Sequence, residues 1–356
     1  MRIGVVTTSY PRDSTDPAGI FVAGLARWLA GEGARVEVVA AGPGASRDGD
    51  IVVHRIAAPQ LFYGAGAPEA LASSWRARAA APAFVARLAA AVARRARRWD
   101  AMLSHWLVPC GLVGAMLARR HVAIAHSGDI HLLERLPGAA LIARMLARTR
   151  LVFVSDDLRE RFARLCGRPV GEVIPMGADG VALAPPDGPP HVLFMGRLVP
   201  IKGADVLVAA ARRLPDVRFT IAGAGPEENR LRAAAPANVC FAGVLAGQAK
   251  RNAFAAAHLV CVPSTTLADG RTEGSPVIVA EALACGRPVV ASATGGIPQL
   301  VGDAGLLVQP RNPAELASAI HNVLTDYESY AGKARARGSS LTWQSVGPRI
   351  AKLLHS

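Results

Sequence analysis

The chain has 356 residues, is 51% hydrophobic and carries a formal net charge of +13. That length exceeds what one core usually organises, so two domains are expected. A charged fraction of 19% with no long polar tract speaks against disorder, and five scattered cysteines without a C-x-x-C pair speak against a disulfide or metal framework.

The first residues, MRIGVVTTSYPRD, lack the long apolar core and small-residue cleavage site of a signal peptide. RIGVVTT reads as a buried strand, GIFVAGLARWLAGEG as an amphipathic helix stopped by glycines, and RVEVVAA as the next strand. RDGD supplies an Asp-x-Asp pair, Asp48 and Asp50, that could suggest a metal-dependent transferase. It lies in a Gly/Ser-rich turn before the strand IVVHRI, not at a strand's carboxyl end, and is read as a turn. From Ala70 to Trp99 there are seven arginines and no acid. A solvated helical face, an anionic membrane surface, phosphorylated substrates or nucleic acid would each account for this. Nucleic acid comes last, because no zinc-finger spacing or aromatic-basic pattern accompanies the charge. The longest apolar stretch, residues 101–118, contains His105, Pro109 and two glycines, and reads as a strand followed by a helix rather than a membrane span. The expectation is a soluble, cytoplasmic protein with reduced thiols, in peripheral contact with the inner membrane face if the basic stretch docks there.

Further along, LVFVS, HVLFMG, RFTIAG, LVCVPS and PVVAS are short Val/Ile/Leu-rich runs between helix-like segments. Such runs indicate parallel sheets covered on both faces. APPDGPP, Ala184 to Pro190, cannot continue a helix or a central strand. It divides the chain into two doubly wound α/β domains, 1–184 and 191–340, with the site expected in the cleft between them. A short helix, 341–356, carrying Trp343, Leu353 and Leu354, is expected to pack back on the first domain.

Three local patterns carry chemistry. Arg197 and Lys202 follow the strand HVLFMG in a loop leading to a helix near Ala204, at the strand end where α/β sheets bind ligands. Only four lysines occur against 36 arginines, so Lys202 suggests a point charge on a phosphate, with an ordinary surface lysine as the other reading. In PVIVAEALAC, Pro276 to Cys285, Glu281 is the only charge. A buried carboxylate without a partner is costly or becomes protonated, so Glu281 needs a partner from the protein or from a ligand. Ser275 reads as the N-cap and Pro276 as the first helical residue, with Glu273 in the loop just before. The amides of Gly274 to Val277 then form an anion site between two carboxylates, and Gly274 admits a close ligand. Carboxylate, amides, carboxylate suits hydroxyls, phosphates, hydroxyls: a nucleotide sugar. GAGPEE is no dinucleotide fingerprint, since Glu228 stands where a third glycine is required. In the first half, His126 follows a short apolar run in IAHSGDIHLL, where a satisfied buried histidine is the plain alternative to a functional one.

GRLVPIKG, IAGAGPEENRLR, VPS, DGRTEGSPVIVAEALACGRPVVASATGGIPQLV and GLLVQP, in this order, resemble the family-4 retaining glycosyltransferases of the GT-B fold. The E-x7-E pair, Glu273 and Glu281, is that family's hallmark, and the resemblance covers nearly all of residues 191–325. It implies that Arg197 and Lys202 bind the diphosphate, that the amides of Gly274, Ser275, Pro276–Val277 touch phosphates and sugar, that Glu273 holds sugar hydroxyls and that Glu281 takes the ribose hydroxyls. An internal ion pair with an arginine is the structural alternative for Glu281. The resemblance is weaker in the first half. There Gly19 matches the second of two usual loop glycines, Ala18 replacing the other, and its backbone would approach the β-phosphate. His126 matches a histidine beside the donor sugar, while His105 has a structural or acceptor-side role and Asp129 is a candidate neighbour. Gln299 stands where the family often has Glu and receives no role.

The implied activity is transfer of a hexosyl group from a UDP- or GDP-linked sugar to a hydroxyl acceptor in cell-surface polysaccharide or glycolipid synthesis. No metal or cofactor is expected beyond the sugar nucleotide itself, because Arg197, Lys202 and a helix dipole supply positive field. Acceptor choice is expected around Tyr10 to Asp16, Phe62 to Gly66 and residues 70–99. The rivals are a non-catalytic nucleotide-sugar-binding subunit, a GT-B nucleotide-sugar epimerase, and a transferase acting on a soluble small molecule.

Overall fold

The computed structural model describes residues 1–13, 15–58, 70–71 and 74–355. The chain divides into two compact units, Met1–Pro175 with Val346–Ser356, and Met176–Ser345. The first unit runs β1 (Arg2–Val6), α1 (Ile20–Gly31), β2 (Arg35–Ala41), β3 (Ala45–Asp48), β4 (Ile51–Ile56), α2 (Trp75–Ala96), β5 (Ala101–His105), α3 (Leu112–Leu117), β6 (His121–Ala125), α4 (Ser127–Leu133), α5 (Ala139–Leu146), β7 (Arg150–Phe153), α6 (Asp156–Cys166) and β8 (Glu172–Val173). Its sheet has the order β3-β4-β2-β1-β5-β6-β7-β8, parallel apart from the β3–β4 hairpin. Val5 pairs with Val38 on one side and Leu103 on the other, so the central strands are apolar on both faces, as a parallel sheet under helices requires. Helix starts follow capping chemistry: the Ser74 and Ser155 hydroxyls accept from the amides of Ala77 and Leu158.

The second unit continues β9 (His191–Met195), α7 (Ala204–Ala211), β10 (Arg218–Ala222), α8 (Glu228–Ala234), β11 (Val239–Gly243), α9 (Gly247–Ala256), β12 (Leu259–Val262), α10 (Val277–Ala284), β13 (Val289–Ser292), α11 (Ile297–Val301), β14 (Gly305–Val308), α12 (Pro313–Thr325), α13 (Tyr327–Ser339) and the start of α14 (Trp343–His355). All its strands are parallel, in the order β11-β10-β9-β12-β13-β14. Successive residues of β9 separate the core into two layers. Val192 and Phe194 pack with Leu207, Phe219 and Ile320, while Leu193 packs with Val260, Val279 and Leu283 on the other face. Helices on both faces of a parallel sheet are what the period-2 alternation dictates. Both units are α/β, each a mostly parallel sheet between helices.

Two boundaries differ from the sequence reading. The units part between Pro175 and Met176, not at 184–190. The Pro-rich stretch begins tied to the second unit, because the Leu183 amide donates to the Cys285 carbonyl and Arg287 donates to the Ala184 carbonyl. Prolines end regular elements, but they do not stop a segment from packing. Helix α14 likewise begins in the second unit, where Trp343 lies against Gly177. It ends in the first, where Gly347 meets the Trp28 indole and Arg349 donates to the Val173 carbonyl.

Candidate functional site

In the second sheet the chain winds from β9 to β11 on one side, then from β12 to β14 on the other. The carboxyl ends of β9 and β12 therefore flank the point where strand order reverses, the usual ligand position of an open α/β sheet. The loop after β9 contains Arg197, which is exposed, and ends in a 3₁₀ turn, Pro200–Lys202. Gly203 follows with φ 64, and a Cβ there would stand 1.9 Å from the Pro263 carbonyl oxygen. Only glycine accepts both that dihedral and that approach. The two loops are joined further by the Thr265 amide, which donates to the Ile201 carbonyl at 2.9 Å. This contact brings Lys202 Nζ to 2.7 Å from Glu273 Oε1, with side chains 22% and 13% exposed.

The loop that carries Glu273 is tied down by neighbouring hydroxyls and one amide. Thr294 Oγ1 lies 2.8 Å from Thr266 Oγ1 and 2.7 Å from Thr272 Oγ1, and the Gly296 amide donates to the Glu273 carbonyl at 3.1 Å. Helix α10 then starts at Val277 with Pro276, not Ser275, as N-cap, and no side chain caps it. Pro276 is extended, at ψ 117, which moves the helix start one residue past the sequence expectation. Among the described hydrogen bonds, the amides of Gly274, Ser275, Val277 and Ile278 serve no acceptor. These are orphan donors at a positive helix end, beside a lysine and a carboxylate.

Glu281 lies one turn into α10, with its side chain 12% exposed. Its Oε1 is 2.6 Å from the Nζ of Lys250 on α9, itself 19% exposed. The internal partner is thus a lysine rather than an arginine. Burial pushes the Glu281 carboxyl up, the Lys250 ammonium opposes that, and Asp179 adds to the rise. Sequence reasoning assigned Lys250 no role, although the scarcity of lysine offered the signal.

In the first unit, β1 and β5 flank the corresponding reversal. Gly19 caps α1 at φ 71, and a Cβ there would stand 2.2 Å from the Ser9 carbonyl oxygen. Packing of the helix start on the loop after β1 is sufficient reason for this glycine. Phe21, on the first turn of α1, lies 5.0 Å from the His126 ring. His126 follows β6, and its amide donates to Asp129 Oδ1 at 2.9 Å; the Leu107 amide donates to Asp129 Oδ2 at 2.6 Å. His105, at the end of β5, stacks on His126 at 5.4 Å with Nδ1 3.2 Å from His126 Nε2. Trp106, at φ 66, completes the cluster 5.0 Å from His126. Such a dihedral is strained for a bulky residue, and strain of this kind gathers at functional sites. Burial holds His126 down at about 3 and His105 well below its ordinary range, so both rings are neutral at pH 7. Burial pushes Asp129 up to about 7 against the pull of its backbone N–H donors. Sequence reasoning named His105 and Asp129 as lesser candidates and missed Phe21 and Trp106, whose meeting with His126 depends on tertiary packing.

Other expectations are corrected or lie elsewhere. Tyr10 is buried, and its hydroxyl donates to Asp48 Oδ2 at 2.7 Å, so its ring is not presented to an acceptor. Asp16 is held by Arg12 at 2.6 Å. Asp48 ends β3 and also pairs with Arg27 at 2.9 Å, while Gly49 and Asp50 form the hairpin turn. Phe62 to Gly66 lie outside the described residues, as do residues 72 and 73 of the basic stretch. Helix α2 carries Arg76, Arg78, Arg87, Arg94 and the following Arg97 and Arg98 at exposed positions, with Trp75 70% exposed at its start. No described helix is long and apolar enough to cross a membrane.

Residues 189–326 match the family described as Glycosyl transferases group 1, and residues 18–180 match Glycosyltransferase Family 4. The chain is 30% identical over 271 residues to a GDP-mannose-dependent monoacylated alpha-(1-6)-phosphatidylinositol monomannoside mannosyltransferase of Corynebacterium glutamicum, covering 67% of this chain and 71% of that protein. It is also 30% identical over 282 residues to a GDP-mannose-dependent alpha-(1-6)-phosphatidylinositol monomannoside mannosyltransferase of Mycolicibacterium smegmatis, covering 69% of this chain and 74% of that protein. Among solved structures, sucrose-phosphate synthase from Thermosynechococcus elongatus superposes with a TM-score of 0.76 at 22% identity, over 99% of this chain and 98% of that one. Anabaena HepE in complex with UDP and glucose superposes with a TM-score of 0.74 at 22% identity, over 99% of both chains.

Proposed function

The chain belongs to the family-4, group 1 glycosyltransferases, and from that premise we propose that it moves a hexosyl group from a UDP- or GDP-linked sugar to a hydroxyl acceptor with retention of configuration. That it is a glycosyltransferase using a nucleotide sugar follows from the family; donor, stereochemistry and acceptor are the proposal. The observation that supports it most is the Lys202–Glu273 pair at the β9/β12 reversal, beside the unserved amides of Gly274, Ser275, Val277 and Ile278. A bound diphosphate takes Lys202, Arg197 and the amides. Glu273, released from its lysine, accepts from sugar hydroxyls, and Glu281 accepts from the ribose. In the first unit, Gly19 and His126 are the donor-side positions that the family resemblance marks, His126 as a neutral hydrogen-bonding ring rather than a cation.

In the reaction the acceptor oxygen bonds to the anomeric carbon as the bond from that carbon to the β-phosphate oxygen breaks. The acceptor's proton passes to the departing phosphate oxygen, on the same face. The chain's part is positioning and stabilisation of the charge on the leaving diphosphate. Arg197, Lys202 and the end of α10 supply this stabilisation, so turnover is expected to survive a chelator, and no cofactor is called for. The mannosyltransferase relatives act, by name, with GDP-mannose on phosphatidylinositol mannosides, which favours a GDP-sugar and a glycolipid acceptor here. The exposed arginines of α2 suit an anionic lipid surface.

The test is thermal unfolding of the full chain against nucleoside diphosphates and their sugars, since a ligand of the folded state raises stability with concentration. One diphosphate should raise Tm selectively, and Lys202→Ala or Glu281→Ala should abolish the shift. No shift with any of them sinks the donor-site reading. Conversion of donor without any acceptor would point instead to an epimerase.

A further inference from the structure

Lys250 stands on the wrong face of its helix for a solvated lysine. On α9, Gln248, Arg251 and Asn252 are exposed and hydrogen-bond one another. Lys250, Ala253, Phe254 and Ala257 fall at the i, i+3, i+4, i+7 spacing of the inward stripe, and Phe254 and Ala257 lie in the core. A lysine at such a position usually extends its ammonium to water. Here the ammonium turns to Glu281 at 2.6 Å instead. Among the described residues it makes no other hydrogen bond, and Glu281 Oε2 makes none. An ammonium has three donor positions and a carboxylate has two oxygens. The pair therefore keeps N–H donors and one acceptor oxygen unused, side by side.

We propose that Lys250 and Glu281 together form a clamp for the vicinal diol of a ribonucleoside, Glu281 Oε2 accepting from one hydroxyl and Lys250 Nζ donating to the oxygen of the other. The clamp rests on the donor-site reading above and adds a second binding residue to it. Lys250 has a further positioning duty, because its charge opposes the protonation that burial favours at Glu281. The other ionisable groups around the pair are Asp179, which opposes ionisation, and Cys285 and Arg287 at the far end of α10. A methylene chain in place of the ammonium would leave burial unopposed and favour the protonated carboxyl, a weaker acceptor than the carboxylate.

The experiment is calorimetric titration of the full chain with UDP, GDP and their 2′-deoxy counterparts at pH 6, 7.5 and 9. Lys250→Met should weaken the ribonucleotide about tenfold at pH 6, the size of one charge-assisted hydrogen bond, and the loss should not grow as pH rises, because rising pH favours the ionised Glu281. The 2′-deoxy nucleotide should change far less, and Lys250→Arg should restore most of the loss. Equal losses for ribose and deoxyribose, or no loss, overturn the clamp while leaving the donor site standing. Absence of binding by the unaltered chain overturns both. If Lys250→Met does not fold, the combined change with Glu281→Gln removes both charges, and a retained preference for ribose in that variant overturns the clamp.

Discussion

Lys202 and Glu273 are the pair whose separation the proposed reaction needs, and single substitutions distinguish their roles. Lys202→Met removes a donor aimed at developing negative charge, so kcat/KM should fall by about 10²–10³. Glu273→Gln keeps the shape but halves the acceptor capacity toward hydroxyls, and should act chiefly on turnover of the sugar donor rather than on binding of the bare diphosphate. Steady-state kinetics beside diphosphate titration reads both, and an unchanged kcat/KM in Lys202→Met would count against the reading. The buried histidines make a separate expectation. His126 and His121 are held at about 3 and about 4, both below the unfolded value, and His105 also lies well below it. A depressed histidine contributes stability that is complete above about pH 6.5 and is lost as pH falls toward its folded value. Tm should therefore drop steadily between pH 6.5 and 4. His121→Asn, which can still meet the Ser104 hydroxyl now 2.7 Å from Nε2, should flatten that slope.

Two loops do for the elements what the pairs do for residues. The segment between β12 and α10 is irregular, yet Thr294 fixes it from the β13–α11 connection through two hydroxyl contacts. Thr294→Val removes the Thr266 hydroxyl's contact and one contact of the buried Thr272 hydroxyl, and should cost about 1–3 kcal/mol in chemical denaturation. The loosened loop should also raise KM for the donor more than it lowers kcat. The loop after β9 depends on Gly203 in the same way. Gly203→Ala forces a Cβ into the Pro263 carbonyl at a positive φ, so either the loop separates from its neighbour or the unit loses stability. A variant with unchanged Tm and unchanged diphosphate binding would show that the loop contact does not set the site. Strand ends, in short, carry the chemistry because the sheet core below them is rigid on both faces.

At the scale of the whole molecule, the +13 charge is carried by arginine, and six of the seven arginines between Ala70 and Trp99 are exposed on α2 or just after it. Trp75, with the Arg76 guanidinium 5.7 Å from its ring, stands at the start of that face. If the acceptor is a glycolipid, the chain should sediment with vesicles containing anionic lipid and not with neutral ones. Salt should weaken the interaction, since the Debye length shrinks to about 3 Å at 1 M. Replacing Arg87, Arg94 and Arg98 by Glu should abolish vesicle binding and leave diphosphate binding intact. Sedimentation indifferent to anionic lipid would remove the membrane from the proposal. Within the second unit, Arg287 is buried and donates to the carbonyls of Phe254, Ala255 and Ala184 and to the Tyr327 hydroxyl. It joins three segments distant in sequence to its own, which is how the Pro-rich stretch came to belong with that unit.

The sequence alone determined what short-range chemistry decides. β2, RVEVVAA, and β4, IVVHRI, have the bounds the sequence reading set, because strand content follows from side chains a few residues apart. The E-x7-E pair was visible for the same reason: a loop, a proline and one helical turn fix its geometry within ten residues. What tertiary structure decided lies at long sequence separation. Glu281 acquired Lys250 from 31 residues away, His126 acquired His105 from 21 away, and Tyr10 was committed to Asp48, 38 residues on. Local pattern predicts that a buried charge needs a partner. Which partner it takes depends on how helices and strand ends are stacked over the sheets, and that is settled by the packing of the whole core.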